Sequence, residues 1–361
     1  MKKFIDKILF IVNVLAGISL FTAYLSPYIN PSQFWYVSFF GLAYPILLII
    51  NGLFILYWLT QIKKQMFFSV AIIAIGYFHF GKFVRYQNQE SYPPIESVKL
   101  LSHNIRAFGL NGPEFQTEDS KKILQFLDKE LFDVYCFQEF FDTKQKGFAP
   151  YDSIKKITGA KYRHVEYLVE FRGNRFGIAT MSQYPIVEKG IVPFEREGTN
   201  MCIYTDIDIN GKIVRVYNMH LQSLSFRKKD YEFLKTLNFN QDETLGGAKN
   251  IVSKFKSAFI KREEQAKSIH NHIEDCPYPV VVCGDFNDSP LSYSYELIKG
   301  NLTDAFEAKG KGIGSTYNGI FPLLRIDYIL HSPEIENTYF EVVKEDLSDH
   351  YPLVAYFTFD K

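Results

Sequence analysis

The chain has 361 residues, room for two or three ordinary domains, and its 40 basic and 40 acidic residues cancel to a formal charge of zero. No global field therefore draws it to nucleic acid. The four cysteines, Cys136, Cys202, Cys276 and Cys283, form no CxxC pair, and two of them lie in apolar runs; this reads as buried small hydrophobes rather than a disulfide framework or a cysteine metal site.

The amino-terminal third is apolar and aromatic. Residues 8–25 (ILFIVNVLAGISLFTAYL) hold one Asn and no charge, enough to cross a hydrocarbon core as a helix. Lys2, Lys3 and Lys7 in front of it also suit a cleaved signal peptide, but further apolar sequence follows. Residues 34–60 and 66–81 predict two more helical spans, with Pro45 as a kink in the second, because no backbone group stays unpaired in lipid. Lys2, Lys3, Lys7, Lys63 and Lys64 place the terminus and the second loop in the cytoplasm, against the milder weight of Lys82 and Arg85. Three spans then put everything downstream on the extracytoplasmic side of the membrane, the inner membrane in a bacterium. The domain plan is a membrane region over 1–86, a polar Pro-bearing linker over 87–97 and a soluble domain over 98–361.

In the soluble part, Ser97–Ile105 reads as a strand ending at Asn104. Ser120–Lys129 reads as an amphipathic helix, and Asp133–Phe137 as a strand ending at Gln138-Glu139. Strand, helix, strand is the start of a layered α/β arrangement. Gly177–Ile186 is a further apolar run. Met201–Ile209 and Lys212–Met219 alternate in period two around Asn210-Gly211, a strong hairpin signal, and the second arm leads to Asn218 and His220. The charged stretch Gln222–Lys267 reads as two helical pieces broken at Leu245–Lys249, and names no chemistry. Val280–Cys283 is a fully buried strand delivering Asp285 and Asn287, which share a face, while Asp288 points away as a turn residue. A helix over Ser292–Ile298, a turn at Thr316–Gly319, a strand Arg325–Leu330 carrying Asp327, and Asp349-His350 before a last strand complete the pass.

Each of these polar residues alone has a bland reading: Asn104 satisfying a loop, His220 a hydrogen-bonded core histidine, Asp349-His350 a turn. What the bland readings leave unexplained is why six separate apolar runs each carry an acid, amide or imidazole near an end. The set suits phosphate-ester hydrolysis, which needs a hard divalent cation, a base for water and donors for the equatorial charge. Glu139 suits the metal, Asp285 or His350 the base, and His220 and His350 donors to the phosphate.

The segments LLSHNIRAFG, VYCFQEF, GIATMSQYPI, VYNMHL, VVVCGDFND, RIDYIL and LSDHYPLVAYF resemble, in order and spacing, the motifs of the endonuclease/exonuclease/phosphatase superfamily, from near Val98 to the chain's end. The resemblance implies a four-layered α/β sandwich, two packed sheets flanked by helices, and a Mg²⁺ centre that Mn²⁺ can also fill. It implies Asn104 and Glu139 at the metal, with Asp349 as a further metal-side carboxylate or hydrogen-bond partner. Asp285 is then the base aligning water, Asn287 a phosphate ligand, Asp327 the carboxylate behind His220 or His350, and His350 the transition-state stabiliser. Asn218 and, more loosely, Asn174 fall at substrate-contacting positions. The expected activity is a membrane-tethered phosphoesterase acting on a phospholipid headgroup, nucleic acid or soluble diester. An extracytoplasmic endonuclease and a catalytically silent phosphate-binding or scaffolding module are the alternatives. No protein partner is inferable; the bilayer is the expected surface.

Overall fold

The computed structural model describes residues 2–86, 96–109, 117–143, 150–195, 198, 200–226, 230, 232–233, 241–319 and 323–359. Contacts divide the chain into two units: Met1–Tyr77 with Gln222–Lys267 and Leu291–Glu296, and Phe78–Leu221 with Ser268–Pro290 and Leu297–Lys361.

The second unit is an α/β sandwich. Its strands are β1 (Val84–Arg85), β2 (Val98–Asn104), β3 (Val134–Thr143), β4 (Tyr162–Phe171), β5 (Asn174–Ser182), β6 (Ile186–Ile191), β7 (Met201–Ile209), β8 (Lys212–His220), β9 (Val280–Asp285), β10 (Thr303–Asp304), β11 (Gly312–Ile313), β12 (Asp327–His331), β13 (Ile335–Val342) and β14 (Leu353–Phe359). Two mixed six-stranded sheets run in the orders β13-β14-β2-β3-β5-β4 and β10-β12-β9-β8-β7-β6, with β2–β3 and β8–β9 the parallel pairs. Asn210 and Gly211, at φ 55° and 91°, turn β7 into β8 as the hairpin signal requires.

Period-two alternation positions the site. One core cluster contains Leu100, Val134, Cys136, Val214, Val216, Val281, Cys283 and Ile329, and so draws on both sheets. A second cluster joins Leu101, Tyr135 and Phe137 on the other face of β2 and β3 to Ile123, Phe126 and Leu127 of the helix Glu118–Lys129. Continuing the inward parity by one or two steps gives 100-102-104 in β2, 214-216-218-220 in β8, 281-283-285 in β9 and 329-327 in β12. The apolar layer between the sheets thus becomes polar at one rim, where Asn104, His220, Asp285 and Asp327 emerge. Glu139 breaks this parity. β3 does not stop at Gln138-Glu139 but runs on to Thr143 through a register shift between Phe137 and Phe140, with Glu139 at φ 48°. The bulge is what turns its side chain out of the strand's alternation.

The first unit is built on α1 (Lys2–Leu25), α2 (Pro31–Phe34), α3 (Val37–Leu42), α4 (Tyr44–Thr60), α5 (Met66–Ile75) and most of the helix Gln241–Glu274. The expected single helix over 34–60 is interrupted. Ala43 ends α3 and opens α4, and Pro45 stands in the first turn of α4, where its missing N–H costs nothing, rather than kinking a longer span. Among the described residues one helix, Lys3–Tyr28, is long and apolar enough to cross a membrane, with α4 and α5 shorter apolar helices. The exteriors of α1, α4 and α5 carry Ile8, Ile11, Leu15, Ile49, Leu53, Leu56, Phe67 and Val70, all exposed. Their interior is polar: Trp58 Nε1–H and Ser69 are joined to the fully buried Asn13 at 2.9 and 2.6 Å, and Ser69 donates to Asn51 at 3.2 Å.

The helix Gln241–Glu274 is continuous, so the break expected at Leu245–Lys249 is absent. Gly246 and Gly247 weaken a helix by about 1 kcal/mol each, but Phe255 and Phe259 pack on Phe39 further along and hold it. The expected linker, except its last residues, lies outside the described residues, as do residues 227–229 of the charged stretch.

Candidate active site

Asp285 is the point on which the rim converges. Its side chain is 1% exposed, and Oδ2 accepts from Asn104 Nδ2 at 3.0 Å while Oδ1 accepts the Asn287 backbone N–H at 2.8 Å. His220 Nε2 lies 3.6 Å and His350 Nε2 3.8 Å from the same Oδ2. One carboxylate therefore faces two imidazoles and a carboxamide.

Asp327 lies behind His350 and not behind His220, settling that choice: His350 Nδ1–H donates to both Asp327 oxygens at 3.0 Å. Backbone pairing places Asp327 directly across from Asp285. Burial alone would push the His350 imidazole down, but Asp327 and Asp285 carry it up to about 10. Burial raises Asp327 to about 6, with Asp285 adding to the rise and His350 opposing it. At neutral pH the pair is thus imidazolium and carboxylate. His350 is a donor there.

Glu139 stands at the open side of the rim. Its Oε1 accepts from Asn104 Nδ2 at 3.2 Å and lies 3.8 Å from His220 Nε2. Asp349 keeps Oδ1 buried without a hydrogen-bond partner among the described residues, and its Oδ2 is 3.5 Å from Arg106 Nε; burial raises its carboxyl pKa. Asp285, Asp327 and His350 have ligand atoms within 4.8 Å of one another. His350 Nδ1–H occupies one lone-pair site on each Asp327 oxygen and leaves the others open. Glu139 and Asp349 are further oxygen donors of the kind that suits a hard cation, the first open and the second with a buried oxygen. Asn104 lies between the two carboxylates of the rim. Its oxygen accepts the Arg106 N–H at 3.0 Å, and its nitrogen joins Glu139 to Asp285, so here it positions the two carboxylates.

Two expected substrate residues lie elsewhere. Asn218 is wholly buried between the sheets: its Nδ2 donates to the Ala179 carbonyl at 2.9 Å and its Oδ1 accepts from Gln138 at 2.7 Å. It cross-links the sandwich behind the rim because parity turns it into the core two residues before His220. Asn174 pairs with Thr143, four residues past Glu139 or about 13 Å at roughly 3.3 Å per residue, and accepts the Thr143 hydroxyl at 2.9 Å. It is not brought to the centre.

Sequence reasoning passed over the supports. His103, immediately before Asn104, donates from Nε2 to the His350 carbonyl at 3.1 Å; burial lowers it to about 3, so it is neutral. The Ser348 hydroxyl donates to the Asn104 carbonyl at 2.8 Å and receives the His350 N–H at 3.0 Å. Thr316 Oγ1 accepts the Asp327 N–H at 3.1 Å. Parity would have turned His103 away from the rim, and Ser348 sat within a quoted motif without a role.

The second unit is thus a sandwich of two mixed sheets with a rim of carboxylates and imidazoles. The profile of the Endonuclease/Exonuclease/phosphatase family matches residues 101–350, and the chain belongs to that family. A domain of unknown function matches residues 6–83. No curated protein matches the sequence. Among solved structures, an endonuclease/exonuclease/phosphatase family protein from Bacteroides thetaiotaomicron is similar at 18% identity and TM-score 0.53, over 75% of this chain and 100% of that one. A mannosyl-6-phosphatase of the same species matches at 18% and 0.53, over 73% and 100%. The human Nocturnin catalytic domain with bound sulfate matches at 18% and 0.51, over 74% and 97%. At such identities these likenesses speak for the fold. Members of this family are hydrolases of phosphate esters that generally depend on a divalent metal.

Proposed function

We propose that this chain is a membrane-anchored, Mg²⁺-dependent phosphoesterase that cleaves a phosphodiester or phosphomonoester by attack of an activated water, with Mn²⁺ a possible substitute. The observation that carries the reading is the Asp285 carboxylate, buried and aimed by Asn104 and the Asn287 N–H, with two imidazole nitrogens beside it. Glu139 and Asp349 would hold the cation, with Asn104 tying Glu139 to the base; the bound ion would polarise the phosphoryl oxygens. Asp285 takes the proton of the attacking water as the new P–O bond forms and the bond to the leaving oxygen breaks. His350, held protonated by Asp327, donates to the charge that grows on the phosphoryl oxygens, and His220 Nε2, buried without a hydrogen-bond partner, supplies a second contact. Asn287 contacts the phosphate.

Anchoring is supported by the apolar exterior and polar interior of α1, α4 and α5, the arrangement a bilayer selects. We read the three helices as inserted together, with the catalytic domain on the extracytoplasmic side. Asp6 near the terminus is paired with Lys63 of the α4–α5 loop, which supports both ends lying on one side, where the lysines put them. A bilayer anchor favours a substrate at the membrane, a phospholipid headgroup ahead of nucleic acid or a soluble diester.

The test uses the full chain in detergent. Bis-p-nitrophenyl phosphate should be hydrolysed with Mg²⁺ or Mn²⁺, and Asp285→Ala or His350→Ala should lower kcat by roughly 10²–10⁴. Equal turnover in EDTA and in both variants would leave the silent-module reading standing. A panel of plasmid DNA, sphingomyelin and phosphoinositides then ranks the substrates, and preference for DNA would favour the endonuclease.

A further inference from the structure

The residue after His220 is pinned from three sides. Leu221 N–H donates to the Asp285 carbonyl at 2.9 Å. Its carbonyl receives the Asn287 Nδ2–H at 3.0 Å and the Asn200 Nδ2–H at 2.9 Å. Asn200 directly precedes β7, whose first residue, Met201, pairs with His220. Its side chain is buried, and Oδ1 has no hydrogen-bond partner among the described residues. Two carboxamides thus share one carbonyl at the junction of β7, β8 and β9.

We propose that Asn200 is a positioning residue for the phosphate site, acting through Leu221 on Asn287 and His220; the inference rests on the reading of this rim as a phosphoesterase centre. A carboxamide has two N–H donors and one oxygen in a fixed plane. With one Asn287 N–H committed to Leu221, the direction of the second is set by where that carbonyl lies. Asn287 stands at φ 53°, in the left-handed region that Asn tolerates better than most residues. Asn200 supplies the second anchor that fixes the carbonyl, and the buried backbone it serves is the continuation of His220. Asn200 does not itself touch the reacting atoms. If it is removed, Leu221 keeps one donor, so the loss falls on the aim of Asn287 and His220 rather than on an orphaned acceptor.

The experiment is a double-mutant cycle in the full-length protein, read twice. With bis-p-nitrophenyl phosphate and Mn²⁺, Asn200→Ala should lower kcat about tenfold with KM within twofold, and Asn287→Ala should lower it further. The double variant should lose clearly less than the product of the two single losses, because part of the Asn200 effect passes through the Asn287 carboxamide. The second reading is the rise in melting temperature on adding inorganic phosphate, which should shrink in both single variants. Should Asn200→Ala fail to fold, Asn200→Ser, polar but too short to reach the carbonyl, is read in its place. Multiplicative losses, or a variant with wild-type kcat and wild-type phosphate response, would overturn the inference. If the wild type shows no turnover yet its phosphate response is lost in both variants, the positioning role stands and the catalytic reading fails. If the wild type shows no response to phosphate and no turnover, both fail.

Discussion

Asp327 and His350 set how the centre depends on pH. His350 must hold its proton to donate, and Asp327 must have lost its own to keep it there. Activity should therefore rise as pH climbs through about 6 and fall again as it passes about 10, the pair titrating as a unit. Asp327→Asn removes the charge that offsets burial, so His350 should lose its proton near or below neutrality. The expected result is a basic limb moved down by several pH units and a kcat at pH 8 lowered by about 10²-fold, checked by the pH–rate profiles of variant and wild type. His103 works in the opposite direction and on stability. Its folded pKa, about 3, lies below the ordinary value of 6.5, so the unfolded chain binds the extra proton between those limits and stability falls as pH drops below about 6.5. Near pH 5 this one residue should contribute a slope of about 1.4 kcal/mol per pH unit. In denaturant melts from pH 7 to 5, His103→Gln should flatten the decline, and an unchanged slope would assign it to the other buried histidines, His164 and His331.

At the scale of elements, the glycine pair inside the long helix separates propensity from packing. A Cβ on Gly246 meets nothing within 4 Å, whereas one on Gly247 comes within 2.5 Å of the Phe233 ring. Gly246→Ala should stabilise by about 0.5–1 kcal/mol through lower backbone entropy. Gly247→Ala should give no gain or a loss, and thermal melts of the two variants decide it. The same helix shows what local sequence hides, since contacts of Phe255 and Phe259 with Phe39, over two hundred residues away, decide its continuity. The central strands β2, β3, β8, β9, β12 and β14 were legible because both faces are buried or alternate strictly. Of the strands that sequence reasoning passed over, β4, β6, β10 and β13 are the four edges of the six-stranded sheets, and β1 and β11 form a separate pair. An edge strand packs beside one neighbour only and carries charge, as RHVEYLVEF and VEKG do, so its hydrophobic pattern is diluted. The candidate site divides in the same way. Asp285, Asn104, His220 and Asp327 follow from parity, and the outward turn of Glu139 needs a bulge that no short-range signal marks. Asn218 was misassigned because strand-end position was weighed without asking how far inside the rim it lay.

At the scale of the molecule, the amino-terminal unit bears on whether α1 is a removable leader or a permanent part of the protein. Asn13 of α1 is fully buried and holds Trp58 of α4 and Ser69 of α5, and Asn51 of α4 donates to the Ala16 carbonyl of α1 at 3.1 Å. Removing α1 would leave the indole N–H of Trp58 and much of the Asn51 and Ser69 bonding capacity unpaired among apolar side chains. In a hydrocarbon setting each such group costs several kcal/mol, far more than a bundle held by packing and interhelical bonds of about 0.6–2 kcal/mol can absorb. If the three helices are inserted together as proposed, protein purified from membranes should keep its full amino terminus, as read by intact mass, and should resist extraction by alkaline carbonate. Asn13→Leu replaces the hub with a residue of similar size but no partners for Trp58 and Ser69, and should lower the detergent melting temperature while leaving the chain in the membrane fraction. A mature protein beginning near residue 26 would mean that α4 and α5 satisfy their polar groups in another way, and would remove the basis for an odd number of crossings. A carboxy-terminal reporter that matures only outside the cytoplasm would then be silent, whereas retention of α1 with α4 and α5 inserted beside it requires that reporter to be active.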